Sequence, residues 1–257
     1  MKGFNTKGVG SVDNWIHPEA RLGNGVKIGP FTVIEEGAVL GDNVTVGNYV
    51  TIHADTIIGA GTTIADQAVI GRWPRPALTS TVQVDADLSP LSLGEGCTIG
   101  THAVLYRGSQ LGAEVLVADQ VFVREQCLIG DRVLIGRGVA VENRVEIGSY
   151  TKIQTNAYIT AHSRLEEQVF IAPGVITTND NYMGRTKERF RQLKGPTVKR
   201  GARVGGGAIL LPGVVVAEES FIAAGAVVNR DTEAAMVYAG VPARPLRRVP
   251  EGEMRGS

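Results

Sequence analysis

Aromatic residues make up only 5% of the 257 residues, and cysteine occurs twice. So few rings fit a narrow interior better than a broad one. Cys97 and Cys127 alone support no disulfide framework. Neither sign of charge is in excess, since Lys+Arg and Asp+Glu each number 26; no global field recruits nucleic acid or an anionic membrane. The opening MKGFNTKGVGSVDNW lacks the apolar stretch of a signal peptide, and no run of eighteen apolar residues occurs. The expectation is a soluble cytoplasmic protein with no nucleic-acid or membrane partner.

Glycine, by contrast, is abundant at 33 residues, as befits a chain with many tight corners. The dominant feature is a period of six. An Ile, Leu or Val recurs every sixth residue from Ile16 to Ile70, again from Leu93 to Ile171, and again from Val198 to Val228, thirty positions in all. The residue four places later is Ala, Val, Thr, Ser or Cys in every hexad but the one ending at Pro74. Residues i and i+2 of a strand share a face, so a large and a small row point inward together and fill a slim prism. Gly follows the aliphatic in 13 of the 30 hexads, which suggests corners needing positive φ. A period of six smears around a helix, and the turn signals of an antiparallel sandwich are missing.

This pattern resembles the hexapeptide-repeat acyltransferase superfamily. The resemblance implies an all-β, left-handed parallel β-helix with three hexads per coil, a hand that the usual crossover rule disfavours. Thirty hexads make about ten coils, roughly 48 Å at about 4.8 Å per strand. The expected organisation is a single domain over residues 1–257, with a C-terminal hairpin and tail at 229–257. Each coil touches only its neighbours, so residues 1–13 and the tail are candidate caps.

Two segments break the period, at about 72–92 and 178–197. Both are polar and turn-rich, so they should project from the prism and carry chemistry. In the first, Trp73 stands among Arg72, Pro74, Arg75 and Pro76, either a platform for the base and phosphates of an acceptor or a loop anchored by its Trp against a neighbouring subunit. In the second, Asn179 and Asp180 precede Tyr182 and the cations Arg185, Lys187, Arg189, Arg191 and Lys194. This break, with Gly195-Pro196-Thr197 and Lys199-Arg200-Gly201-Ala202, resembles the N-acyltransferases of nucleotide-linked amino sugars. Catalytic roles are expected for His162, Asn179 and Asp180, and acceptor binding for Trp73, Arg75, Asn156, Tyr182 and Arg185.

Amide formation from a thioester requires an oriented, deprotonated amine, and histidine suits that task near neutral pH. Of four histidines, His17 and His53 follow inward aliphatics and read as structural, while His102 sits in a turn without a nearby acid. His162 lies in NAYITAHSRLEEQVFIAPGV, a segment resembling the base-bearing stretch of sialic-acid-type and bacillosamine-type acetyltransferases. There an Asp-Cys usually follows; here Ser163 and Arg164 do, leaving Glu166, Glu167 or a neighbouring subunit to supply an acid. The open readings for His162 are base, acceptor contact and plain surface residue, and in some relatives the amine proton passes to the thioester sulfur without a histidine.

The resemblance implies acyl-CoA as donor, without a metal, lying between copies of a homotrimer. Its expected contacts are Lys199, Arg200, Gly206, Gly207, Ala208 and Ala224, with Arg203 beside them, and Pro242 and Arg244 of the terminal stretch MVYAGVPARPLRR. The acceptor is expected to be a nucleotide-linked deoxyamino sugar and the acyl group acetyl or short hydroxyacyl. Three alternatives are an acyl-carrier-dependent enzyme of the lipid A type, which the opening segment IHPEARLGNGVKIGPFTVI resembles, a non-catalytic scaffold, and a γ-type carbonic anhydrase. The last requires closely spaced histidines, and His17, His53, His102 and His162 are far apart. Nucleotidyltransfer is not expected, since no glycine-rich nucleotide-binding domain precedes the repeats.

Overall fold

The computed structural model describes residues 13–80 and 84–254. The expected N-terminal cap therefore lies almost wholly outside the described residues. Strands mostly of two residues stack into three parallel sheets of 11, 10 and 12 strands, the faces of one left-handed prism. We number the faces from the strands that open them: Trp15–Ile16 on the first, Arg21–Leu22 on the second and Lys27–Ile28 on the third. Ile16 pairs with Ile34 and Ile34 with Ile52, so the aliphatic rows rise in register as the period requires.

The core is a continuous column from Ile34 to Val228, with almost every side chain from the two inward rows closed to solvent. Cys97 and Cys127 occupy small inward slots, 1% and 0% exposed. Burial pushes both thiols up, Cys127 to about 12. The folded protein is therefore expected to resist a thiol-specific reagent at pH 8 and to consume two equivalents once denatured; rapid native labelling would remove both cysteines from the core.

Glycine plays a different part from the one expected. The glycines that directly follow the aliphatics do not have positive φ, Gly71 excepted. They are required because a Cβ there would strike the next coil: at Gly94 it would lie 2.5 Å from the carbonyl carbon of Gly112. Positive φ occurs two residues further on, and many non-glycine residues accept it, among them Tyr49, Gln126, Arg144 and His162. That conformation aims the N–H at the coil below, as in Tyr49 to the carbonyl of Pro30 at 2.9 Å. The cross-coil hydrogen bond offsets a left-handed strain of about 1–2 kcal/mol.

One further rung was hidden in the sequence. Ile176–Thr177 forms a strand on the first face beside Tyr158–Ile159, with Thr177 in the aliphatic slot. Its hydroxyl accepts from the N–H of Thr160 at 2.7 Å and donates to the carbonyl of Tyr158 at 3.0 Å. A side chain thus replaces a ladder bond where the chain leaves the prism. At the other end the strands Met236–Ala239 and Arg244–Arg248 form an antiparallel hairpin on the third face, and Val237, Tyr238 and Ala243 close the column.

Candidate functional site

Both excursions leave from the same edge, the corner between the first and second faces. The first departs after Val69–Arg72 and returns at Ser92–Leu93; the second departs after Ile176–Thr177 and returns at Thr197–Val198. Between these two arms the corner turns containing Tyr106, Arg124, Glu142 and Thr160 run uninterrupted. One edge of the prism is thereby bracketed by two projections.

At the neck of the second arm lies a cavity of about 440 Å³. Tyr158, Met183, Leu211 and Pro212 supply largely apolar walls, while Thr160, Thr178, Asn179 and Asp180 supply polar groups. Asn179 Nδ2 donates to the carbonyl of Ala161 at 3.3 Å, and the N–H of Lys194 donates to the carbonyl of Asn179 at 3.1 Å, closing the neck. Asp180 is engaged in shaping the arm. Its carboxylate accepts from the N–H groups of Tyr182 at 2.8 Å and Gly184 at 2.9 Å and from Arg189 at 2.7 Å. The Gly184 N–H, then the other donors, hold its pKa below the usual carboxylate range. Tyr182 bonds Gln192 through its hydroxyl at 3.0 Å, and its carbonyl accepts from the N–H of Arg185 at 3.0 Å.

Below this cavity is a charge network. Arg124 grips Glu125 with two hydrogen bonds of 2.8 and 2.7 Å and reaches Glu142 at 3.3 Å. Glu125 is almost fully buried, and the guanidinium also faces the Tyr106 ring at 5.9 Å. The cluster thus sets one cation against two carboxylates. Tyr158 lines the cavity beside Thr160, and burial followed by the Glu142 charge raises its pKa.

His162 stands on the same corner but beyond Ala161, outside the cavity lining. Its N–H donates to the carbonyl of Asn143 at 3.2 Å. Burial, then the charge of Arg144, lowers its pKa, so the imidazole is neutral around pH 7. Glu166 and Glu167 do not orient it: they lie past the strand Arg164–Leu165 on the next corner, where Glu166 accepts from the N–H of Arg200 at 3.1 Å. A two-residue strand is enough to point them at a different edge of the prism.

The remaining expected contacts are spread over the molecule. Trp73 packs under the guanidinium of Arg107, 4.7 Å from its ring centre, so its own chain anchors it; Arg75 is exposed on the first arm. Asn156, Gly206, Gly207, Ala208 and Ala224 belong to the corner between the third and first faces, and Ala208 is fully buried. Lys199 and Arg200 lie on the corner between the second and third faces, where Arg200 pairs with Glu218 at 2.5 Å. Pro242 and Arg244 sit in the terminal hairpin. The coenzyme set is therefore divided between corners of one chain. A larger depression of about 800 Å³ follows the second face past Gly112, Gly130 and Gly148. Coil stacking dictates those glycines, and several of its charges pair with one another, so its size does not make it the reactive site.

Arg124, Glu142, Arg144 and Tyr158 were not singled out from the sequence. The signal was present: one 18-residue coil back from Thr160 and His162 stand Glu142 and Arg144. Reading down the column from a chosen residue finds its neighbours.

The bacterial transferase hexapeptide (six repeats) family matches residues 37–72 and 126–161. Over 86 residues the chain is 35% identical to YJL218W of Saccharomyces cerevisiae, named as a candidate acetyltransferase; the match covers 32% of this chain and 44% of the yeast protein. The chain thus spans less than half the length of that relative. A UDP-N-acetylglucosamine acyltransferase of known structure shares the fold with a TM-score of 0.54 at 20% identity, covering 94% of this chain and 74% of that one. The Francisella novicida UDP-N-acetylglucosamine acyltransferase does so with a TM-score of 0.50 at 21% identity, covering 91% and 68%. At those identities the likeness is one of fold. The expected resemblance to the hexapeptide-repeat acyltransferase superfamily is borne out by the repeat and by the fold.

Proposed function

We propose, on the premise that the chain is built from bacterial transferase hexapeptide repeats, that it moves an acetyl or short hydroxyacyl group from acyl-CoA to the amino group of a nucleotide-linked deoxyamino sugar. The observation that carries this reading is the cavity at the neck of the second arm. Its apolar walls suit a deoxygenated ring, Thr160, Thr178 and Asn179 suit the remaining hydroxyls, and the excess carboxylate of the Arg124–Glu125–Glu142 cluster near Tyr158 suits an ammonium. Asn179 orients the acceptor, Asp180 holds the arm around it, and Tyr182, Arg185 and Arg75 extend from the two arms toward the nucleotide, with Trp73 anchoring the first arm against Arg107.

For the donor, the corner between the third and first faces fits a pantetheine chain. A Cβ at Gly174, Gly207 or Gly225 would meet nothing within 4 Å, so this edge is open in three successive coils. Arg203 on the adjoining face lies over the Phe221 ring at 5.0 Å and pairs through Nη1 with Glu253 at 3.1 Å; its Nε and Nη2 are buried without a hydrogen-bond partner among the described residues, so they reach a phosphate only when these neighbours give way. These groups lie on a different edge from His162, so a homotrimer is the assembly that brings one copy's glycine edge to the next copy's His162. Acyl-CoA supplies the activated thioester. The amine nitrogen attacks the carbonyl carbon, the C–S bond breaks, and His162 takes the amine proton and passes it to the departing sulfur.

Thiol release from CoA thioesters, measured against a panel of dTDP- and UDP-linked amino sugars and their hydroxy counterparts, tests this reading. Release is expected with amino sugars alone. Release only with hydroxy sugars, or only when an acyl carrier protein replaces CoA, overturns the acceptor or the donor respectively. Absence of both turnover and CoA binding would leave a scaffold, and a monomer in sedimentation would separate the two halves of the site.

A further inference from the structure

We propose that Arg144, fixed by Asp85 of the first arm and by Gln126, is a positioning residue for His162. This rests on the reading of His162 as the base. Gln126, Arg144 and His162 occupy the same turn position in three successive coils, each at positive φ of 61°, 58° and 63°. Their side chains therefore leave the corner one above another. Arg144 Nε donates to Gln126 Oε1 at 2.9 Å, and Arg144 Nη2 donates to Asp85 Oδ2 at 3.2 Å. Gln126 Nε2 donates to the same Asp85 oxygen at 2.7 Å. The carboxylate thus spans two coils from a segment that is itself an insertion in the repeat. Leu88, three residues on, is buried, and its carbonyl accepts from Arg107 Nε at 3.0 Å, so the segment carrying Asp85 is anchored to the corner.

The charges around His162 can be placed one by one. Arg144 lies one coil below. Beside it on the second face Arg164 is 3.7 Å from Glu146. Above it the neck of the second arm carries Lys194 and Asp180, the latter closed by Arg189. Glu142, two residues before Arg144, is held by Arg124 at 3.3 Å, and Arg144 itself by Asp85 at 3.2 Å; the charge that acts on the ring is the Arg144 cation, where the resembling transferases place an acid after the histidine. A cation there disfavours the imidazolium and keeps the ring ready to accept a proton in mildly acidic solution. Asp85 tempers that field, so the imidazolium formed during transfer does not face a bare guanidinium. The first arm, on this view, is tied to the chemistry at the second.

The test is the titration of His162 read from its imidazole proton resonances, assigned by the signal missing in His162→Ala. Arg144→Gln is expected to move the midpoint to higher pH, and Arg144→Lys to restore most of the native value. Asp85→Ala is expected to change the midpoint in the native background and to have no effect when combined with Arg144→Gln. In thiol-release assays the acidic limb of kcat/KM for Arg144→Gln should move upward with the midpoint while KM for the acceptor changes little. An unaltered titration in Arg144→Gln overturns the proposal. Should His162→Ala retain full turnover, the base assignment fails instead, and the titration still decides whether Arg144 and His162 are coupled.

Discussion

Replacing His162 with alanine lowers turnover by about two orders of magnitude or more, the usual yield of a positioned general base. The substitution is clean. The side chain stands at the surface, only partly shielded by its neighbours, and the cross-coil bond at this turn is made by the backbone N–H to Asn143, which alanine keeps. Circular dichroism and the melting temperature are therefore expected to stay near native values while kcat falls. The lowered pKa gives the pH dependence a sign: the working form is neutral, so activity is retained below the ordinary histidine range and is lost only as His162 protonates. A variant that keeps its kcat and changes only KM would make His162 an acceptor contact and hand the proton to the thioester sulfur. Comparing kcat with KM on one substrate, at saturating acyl donor, separates the two.

The second large effect concerns the glycines, and two of them in one turn give opposite expectations from those that conformation alone suggests. Gly94 does not have positive φ, yet an added Cβ would stand 2.5 Å from the carbonyl carbon of Gly112 and 2.7 Å from the N of Ala113. Those atoms are backbone and cannot swing aside, so the coils must part. Gly94→Ala is expected to cost about 3 kcal/mol or more, a fall in Tm of roughly 6–12 °C for a domain of this size. Gly96 does have positive φ, 66°, but its Cβ would meet only the Glu114 side chain at 3.6 Å. Gly96→Ala is expected to cost only about 1 kcal/mol, or roughly 2–4 °C. Thermal unfolding of the pair followed by circular dichroism decides the matter. Equal losses, or the larger one at Gly96, would return the glycines to a purely conformational role.

The legibility of the sequence follows the same division. A six-residue period of Ile, Leu and Val is a local statement about which side chains face inward, and the column from Ile34 to Val228 follows from it. Thr177 escaped because its hydroxyl, not its hydrophobicity, holds the slot: it replaces a ladder bond to Thr160, and no count of aliphatic residues records that. The glycines after the aliphatics were seen but misread, since their reason is the backbone of the coil above, 18 or more residues away. Glu166 and Glu167 were placed near His162 by proximity in sequence, and a strand of two residues carries them to another corner.

While the three faces followed from the family resemblance, the amino-acid order by itself determined the two inward rows, the buried cysteines and the two places where the chain must leave the repeat. Those are consequences of side-chain pattern against a regular backbone, and each is settled within a few residues. Only the tertiary structure decided that both departures use one edge, that Glu142 lies under Thr160 and Arg144 under His162, and that the coenzyme contacts divide between corners. These depend on stacking across coils, where an insertion of any length shifts numbering without shifting position. Distance along the chain then ceases to measure distance in space.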